Sequence, residues 1–301
     1  MSRNAPFLLA DIGGTNSRLA LSDGATLRPG SVRNIANDGV AGIETLLAEY
    51  LSDTGARPAA VCVAAAGPVQ GDRVQLTNRD WSTNRAALAR ATGCDAIVLL
   101  NDLQAMGYAL ACPDIAGSVL SHTRLVVAIG TGINVAVAHS LGGRVFVPPS
   151  ESGYLSLPFT GKADAAALAR IAADFGAPVA EAVLSGPGLA RVHRVLAGQA
   201  RAPHDITARA PGTEASLALV LRVLGAYLGS LALAHLSYGG IYLAGSVGRA
   251  LFRWCDGPDF TGPFSDRGAY RDIVTSMPLR LIENDSAALH GAALCLAQAE
   301  G

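Results

Sequence analysis

Two short stretches of the chain carry glycine, threonine and asparagine between apolar runs, and both have the composition of an anion site. The first is Asp11-Ile12-Gly13-Gly14-Thr15-Asn16. Consecutive glycines allow a backbone with positive φ and a close approach to a ligand. Successive main-chain amides in such a turn form an anion-binding concavity, to which Thr15 and Asn16 add neutral donors. Asp11 cannot face a phosphate directly but can hold a hydrated Mg2+ that does. Taken alone, the stretch is equally an ordinary glycine hairpin. The second stretch, Gly130-Thr131-Gly132, is by itself only a turn. Together, two such turns have the means to grip a polyphosphate from both sides.

Three further groups supply carboxylates or a ledge. Asn101-Asp102 ends the apolar run Ala96–Leu100. A carboxylate at the carboxyl end of a buried strand lies where α/β sheets place ligands. In phosphoryl transfer to a hydroxyl it orients the attacking oxygen and takes its proton late, a role that suits a weak base of pKa about 3.9. Asn101 donates and accepts hydrogen bonds, as a sugar hydroxyl requires, although Asn-Asp serves equally well as a helix N-cap. Glu151, with Ser152-Gly153-Tyr154 after it, and Glu181 are carboxylates that nothing local distinguishes from solvated surface charge. Gly245-Ser246, after Leu243-Ala244, reads either as a strand-to-helix turn or as a ledge beneath a nucleotide base.

Other phosphate motifs are absent. Of the 23 basic residues only Lys162 is a lysine. Its surroundings, Phe159-Thr160-Gly161-Lys162-Ala163, lack both the earlier glycine and the following hydroxyl of a GxxxxGK[ST] loop, so a P-loop is excluded. No GxGxxG opens a helix. The chain has 301 residues, 50% of them hydrophobic and 16% charged, with a net charge of −1. That composition argues for a buried globular fold rather than disorder and against nucleic acid as a partner. Cys62, Cys94, Cys112, Cys255 and Cys295 are scattered without a CxxC pair, which argues against disulfides and structural zinc. The apolar stretch Phe7–Ala10 has no basic lead or cleavage site. Val220–Leu236 is interrupted by Arg222 and His235 and is short for a span, so it reads as a buried helix. A cytoplasmic protein with no membrane partner is expected.

The elements that must position these groups follow from periodicity. Pro6–Leu21 reads as strand, glycine turn and strand. Glu44–Leu51 reads as a helix, Ala59–Ala66 as a small-residue strand and Val74–Leu76 as a short strand. Asn84–Ala91 is helical, Ala96–Leu100 is a buried strand, and a helix runs from about Leu103 to Ala111. Arg124–Ala138 repeats the opening pattern: LLADIGGTNSRLAL and LVVAIGTGINVAVA share strand, Gly/Thr turn and strand. The repeat suggests two related α/β domains. Helices follow at Asp164–Phe175, Gly188–Leu196 and Glu214–Leu236, with strands at Ile241–Ala244 and Leu279–Ile282. Asn284 or Asp285 is placed to N-cap a last helix running to about Gln298.

In this order, LLADIGGTNSRLAL, LTNRDW, VLLNDLQAM, AIGTG, VLSGPGL, GGIYLAG and IENDSAALHGAA resemble the bacterial glucokinase family, within the hexokinase–actin–Hsp70 superfamily, over essentially the whole chain. The resemblance implies a two-domain ribonuclease-H-like (actin-like ATPase) α/β fold with duplicated β-hairpin phosphate loops. It implies a small domain of residues 1–102 plus 287–301, a large domain of residues 103–286 and an active-site cleft that closes on its substrates. The implied activity is ATP-dependent phosphorylation of a hexose, glucose first, at its 6-hydroxyl with Mg2+, the entry step of glycolysis. By the same resemblance, Asp11, Gly13, Gly14, Thr15 and Asn16 match the first phosphate loop, and Gly130, Thr131 and Gly132 the second. Gly245 and Ser246 match the adenosine segment and Asp102 the catalytic base. Asn101, Glu151 and Glu181 match sugar ligands, and Asn78 falls on the sugar side. The cysteine-rich zinc motif of the related repressor branch is absent, and no N-terminal helix-turn-helix is expected.

Three positions depart from the family pattern. EGGH reads Glu151-Ser152-Gly153-Tyr154, which puts hexose identity in question. The glycine after GTG-x is Asn134, expected to hold the loop by its tolerance of left-handed geometry. AGG reads Ala244-Gly245-Ser246. The competing readings are a kinase of the same fold for another hexose or amino sugar, a non-catalytic sugar sensor, and an actin/Hsp70-like ATPase. A homodimer is left open.

Overall fold

A computed structural model describes residues 5–118 and 120–300; the ends of the expected small domain, residues 1–4 and 301, lie outside the described residues. The strands in chain order are β1 (Phe7–Ile12), β2 (Asn16–Asp23), β3 (Thr26–Leu27), β4 (Arg33–Ala36), β5 (Ala60–Ala65), β6 (Val69–Gln70), β7 (Arg73–Gln75), β8 (Ser82–Asn84), β9 (Ile97–Asn101), β10 (Arg124–Ile129), β11 (Ile133–Leu141), β12 (Arg144–Phe146), β13 (Gly240–Ala244) and β14 (Leu279–Leu281). The helices are α1 (Ile43–Thr54), α2 (Arg85–Thr92), α3 (Asp102–Ala109), α4 (Pro113–Ala116), α5 (Lys162–Phe175), α6 (Gly186–Ala197), α7 (Pro203–Thr207), α8 (Glu214–His235), α9 (Gly245–Phe252), α10 (Pro258–Ser265), α11 (Arg271–Thr275) and α12 (Ala287–Glu300). The chain divides into two compact units, one of residues 1–120, 138–149 and 284–301, the other of residues 121–137 and 150–283.

The first unit is built on a mixed sheet in the order β3-β2-β1-β5-β9, with β4 also on β2. β1 and β2 form an antiparallel pair from Phe7↔Ser22 to Ile12↔Ser17. β5 lies parallel to β1, and β9 parallel to β5. Continuous apolar runs such as Ala60–Ala65 belong to strands buried on both faces, and here the alternate residues feed two separate cores. Leu8, Ala10, Val61 and Val63 pack with Leu46 and Leu47 of α1 and Leu88 of α2. Leu9, Cys62 and Ala64 pack with Ala105 of α3 and with Leu289, Ala292 and Ala293 of α12. α3 and α12 touch backbone to backbone: a Cβ on Gly291 would fall 1.8 Å from the Ala105 carbonyl oxygen. That packing ties residues 103–120 to the first unit, whereas the expected boundary fell at residue 102. A separate three-stranded sheet, β6-β7-β8, carries the LTNRDW segment as the connection from β7 to β8.

The second large sheet has the order β12-β11-β10-β13-β14. β13 is parallel to β10 and β14 to β13. β11 begins in this unit and ends in the first, where β12 pairs with its last residues. α8 runs through the core: it is the one described helix long and apolar enough to cross a membrane, and 72% of its most apolar window is buried. Its interrupting charge, Arg222, is answered within the fold. The guanidinium binds Asp164 of α5 through Nε and Nη2 at 2.9 and 2.7 Å, and Asp259 of α10 through Nη1 at 3.0 Å. Helices α4, α7, α10 and α11 were not expected. α10 begins at Pro258 and also contains Gly262 and Pro263, a composition that reads as a loop. The last helix starts later than expected, because the Asn284 side chain takes the Ser286 amide at 2.8 Å instead of capping the helix itself.

Candidate functional site

In the first unit the turn from β1 to β2 is held by two residues that sequence reasoning missed. Gly13 donates its amide to the Asn16 carbonyl at 3.0 Å. The carbonyls of the turn are then drawn off one by one. Gly13 O accepts from Asn37 Nδ2 at 2.8 Å, Gly14 O from Arg79 Nη1 at 3.0 Å, and Thr15 O from the Asn37 amide at 2.8 Å. Asn37 is fully buried and is fixed in turn by the Ser17 hydroxyl at 2.7 Å. Arg79, from LTNRDW, also reaches Asn37 O at 2.7 Å and lies over Trp81, 4.5 Å from the ring centroid. With the carbonyls so occupied, the amides of Gly14 and Thr15 have no protein acceptor among the described residues. Asn78 sits beside the turn, its Cβ 3.4 Å from where a Cβ on Gly14 would be.

The expected left-handed glycines are not what shapes these turns: Gly13, Gly14, Gly130 and Gly132 all lie outside that region. What excludes a side chain is close approach. A Cβ on Gly13 would fall 2.8 Å from Asn16 O, and one on Gly132 would fall 2.9 Å from a Glu181 carboxylate oxygen. Asn134 has no positive φ either; it lies inside β11, and its role is made by its side chain.

Asp11 stands at the end of β1 with Arg18 Nη1 3.4 Å from its carboxylate. Burial raises its pKa above the usual carboxylate range, and Arg18 works against that shift. Across the sheet, Asn101 ends β9 and caps α3: its Oδ1 accepts from the Leu103 amide at 3.0 Å while Nδ2 donates to Gly67 O at 3.1 Å. Asp102 is the first residue of α3 and also accepts from the Leu103 amide, at 2.8 Å. The capping reading of Asn101-Asp102 is the one these bonds describe.

In the second unit the turn Gly130–Gly132 is closed by the Gly130 amide on Gly132 O at 2.9 Å, and Gly186 at the start of α6 donates to Gly130 O at 2.7 Å. Here too the amides of Thr131 and Gly132 find no protein acceptor among the described residues. Ser185, in the VLSGPGL stretch, caps α6 by accepting from the Gly188 amide at 3.0 Å and donates to Glu181 O at 2.9 Å. Gly245 opens α9 with φ +77, and a Cβ there would fall 2.4 Å from Ile129 O. Ser246 follows it, exposed, in the first turn of α9.

The two glutamates that nothing local singled out belong to one cluster with this turn. Glu181 takes the Ile133 amide at 3.2 Å. Glu151 takes Asn134 Nδ2 at 3.1 Å. Desolvation first, and repulsion from Glu181 second, raise the pKa of Glu151. The loop after Glu151 is pinned from below by Tyr227 of α8, whose hydroxyl donates to Ser152 O at 2.6 Å. Tyr154 is 59% exposed and leans on Phe175, with ring centroids 6.4 Å apart. No group of three or more His, Cys, Asp or Glu side chains suited to a metal occurs among the described residues.

Residues 8–299 match the model of one family, described as Glucokinase. The chain belongs to the glucokinase family. A glucokinase of Yersinia pestis (strain Pestoides F) is 30% identical over 313 residues, covering 98% of this chain and 97% of the relative. The crystal structure of a glucokinase from an Antarctic psychrotroph superposes with a TM-score of 0.82 at 27% identity, covering 97% of this chain and 99% of that one. A glucokinase from Balamuthia mandrillaris, solved in complex with glucose, shares the fold with a TM-score of 0.79 at 21% identity, covering 98% and 94% of the two chains. Within the glucokinase family pattern, the motifs DIGGTN, LTNRDW, LLND and VLSGPGL now have structural roles: a turn, its arginine clasp, a capped strand end, and the helix start that ties Glu181 to the second turn.

Proposed function

We propose that this member of the glucokinase family is an ATP-dependent hexose kinase that phosphorylates glucose at its 6-hydroxyl. The observation that carries the reading is the state of the two turns. In both, two or more carbonyls are engaged by the protein while successive amides are left without protein acceptors among the described residues, which is what a phosphate chain requires of a main-chain site. In this reading Gly13, Gly14, Thr15 and Asn16 take one part of the polyphosphate, and Gly130, Thr131 and Gly132 another. Gly245 and Ser246 lie under the adenosine. The matching strand orders of the two sheets support descent of both turns from one duplicated hairpin unit, in a fold of the actin-like ATPase type.

Asp102 is the base. Its carboxylate receives the 6-hydroxyl, aligns it for in-line attack and takes the proton late in a largely dissociative transfer. Asn101 has one amide hydrogen beyond its Gly67 bond and presents it to the sugar, as do Asn78, Glu151, Tyr154 and Glu181 with their own polar groups. Hydrogen bonds from sugar hydroxyls to carboxylates are charge-assisted and short. Asp11 would hold Mg2+: one carboxylate, whose one polar side-chain contact among the described residues is the 3.4 Å approach of Arg18, leaves the rest of the shell to water and phosphate oxygens, which is how Mg2+ is usually held. When bound, the ion neutralises phosphate charge. A cytoplasmic place at the entry to glycolysis follows from the same reading.

The test is sugar-dependent ADP formation with glucose, mannose and an N-acetylated amino sugar at equal concentration, on the parent protein and on Asp102→Asn. Glucose is expected to give the highest kcat/KM. The variant keeps an acceptor for the Leu103 amide, so its melting temperature stays unchanged while kcat falls ~10²-fold or more. ADP formation that ignores sugar, or near-normal turnover by Asp102→Asn, would overturn the proposal.

A further inference from the structure

Asn134 makes three hydrogen bonds with its side chain, and the two from Nδ2 define where Glu151 stands. One Nδ2 hydrogen goes to Ser150 O at 2.8 Å and the other to Glu151 Oε2 at 3.1 Å. Oδ1 accepts from the Val135 amide at 2.8 Å, which locks the carboxamide in one orientation so that Nδ2, not the oxygen, faces the glutamate. The next residue back, Ile133, gives its amide to Glu181 at 3.2 Å. Two successive residues at the start of β11 therefore each carry one of the paired carboxylates. Ser150 is bound further to Ser152, Oγ to Oγ at 2.6 Å, so the carboxamide grips both the start of the loop and the side chain that the loop presents.

We propose that Asn134 is a positioning residue that fixes and orients the Glu151 carboxylate for a sugar hydroxyl. The inference rests on the kinase reading of the site. Two like charges held close together disfavour joint ionisation, and Glu181 is the charged group that acts on Glu151, while Tyr227 approaches the same loop through its hydroxyl. A neutral donor aimed at Glu151 favours its ionised form. Asn134 thereby offsets part of what desolvation and Glu181 impose, and it does so with no positive charge that would draw the glutamate away from substrate.

The sign of the effect is fixed by the chemistry. Removing the donor raises the pKa of Glu151, so activity that needs the ionised carboxylate is lost at a higher pH as the solution is acidified. Asn134→Ala is expected to raise KM for glucose about five- to tenfold, the scale of one hydrogen bond to a charged group at a partly exposed site, with KM for ATP unchanged. The acid limb of kcat/KM shifts upward with it. Asn134→Asp keeps shape and volume but turns an acceptor on Glu151 and Ser150 O, and should shift the limb further in the same direction. Titration of the Glu151 carboxyl by 13C NMR in the parent and both variants reads the pKa without turnover. A parent that makes ADP from glucose, together with variants whose glucose KM, acid limb and Glu151 titration all match it, overturns the role of Asn134 alone. A parent with no sugar-dependent ADP formation overturns the kinase reading, and the NMR titration then decides separately whether Asn134 holds Glu151. Should Asn134→Ala fail to fold, the same three measurements on the isosteric Asn134→Asp decide between these outcomes.

Discussion

Gly153→Ala should detach the Glu151 loop from the sheet on which it rests. Gly153 is buried, and a Cβ there would fall 1.9 Å from the Ile133 carbonyl oxygen, 2.9 Å from its carbon and 3.2 Å from Ile133 Cγ2. β11 is an interior strand of its sheet and cannot give way cheaply, so the loop must move. Reaching even 3.0 Å from that oxygen requires a recession of about 1.1 Å. Movement of that size along the Tyr227–Ser152 bond, now 2.6 Å, carries it past about 3.5 Å, where it no longer counts as a hydrogen bond. Overpacking costs about 1–3 kcal/mol, and the lost bond adds about 1 kcal/mol. If some 1.4–2 kcal/mol of this is drawn from sugar binding, KM for glucose rises about ten- to thirtyfold, with KM for ATP little changed. Melting should fall by roughly 2–4 °C for each kcal/mol borne by the folded state. Initial rates of ADP release against glucose at saturating ATP, with a thermal melt of the same sample, measure both. Parental glucose KM together with a parental melting temperature would refute the reasoning, because the loop would then accept a methyl group without moving Glu151.

Tyr154→His tests whether the residue in place of the family histidine discriminates among sugars: kcat/KM for glucose relative to mannose should change, and an unchanged ranking removes Tyr154 from the specificity determinants. Asp164→Asn breaks the two-pronged pair with Arg222 and should cost about 2 kcal/mol, below the ~3–5 kcal/mol typical of a fully buried pair, because Asp259 remains as a partner and Arg222 is partly exposed. Its pH dependence has a definite sign. The Arg222 hydrogen bonds hold the Asp164 carboxyl below its ordinary range, so its stabilisation is full above the unfolded pKa of about 3.9 and is lost as the pH falls through the folded value. The melting temperature of Asp164→Asn should approach that of the parent as the pH drops below about 4; a gap of constant size down to pH 2 would contradict this assignment.

What was legible in the sequence depended on the range over which each residue acts. The turns at residues 13–16 and 130–132 were readable because glycine, threonine and asparagine between apolar runs act locally. Asn101-Asp102 was readable because Ile97–Leu100 marks a buried strand by composition alone. Asn37 and Arg79 were not, since they hold carbonyls 24 and 65 residues away, and no local pattern marks a residue as the partner of a distant turn. Glu151 and Glu181, 30 residues of chain apart, are brought together only by their bonds to the start of β11, so each alone resembles surface charge. The positive φ expected at Asn134 assumed that the position was defined by backbone shape, when the side chain defines it. α10 escaped notice because proline and glycine inside PDFTGPFS outweigh its spacing, while burial of Phe260 and Phe264 stabilises the helix nonetheless.

The docking of α12 sets an order on how the molecule is made. One face of the first sheet, with Leu9, Cys62 and Ala64, is sealed by Leu289, Ala292 and Ala293, about 225–285 residues later in the chain. During synthesis, at about 5–20 residues per second, the strands emerge early and that face has only α3 to cover it until α12 arrives, after the whole of the second unit. The last contacts to form are thus among the longest in sequence separation, the kind that slow folding. Until then the nascent first unit presents an apolar sheet face of the sort that chaperones shield.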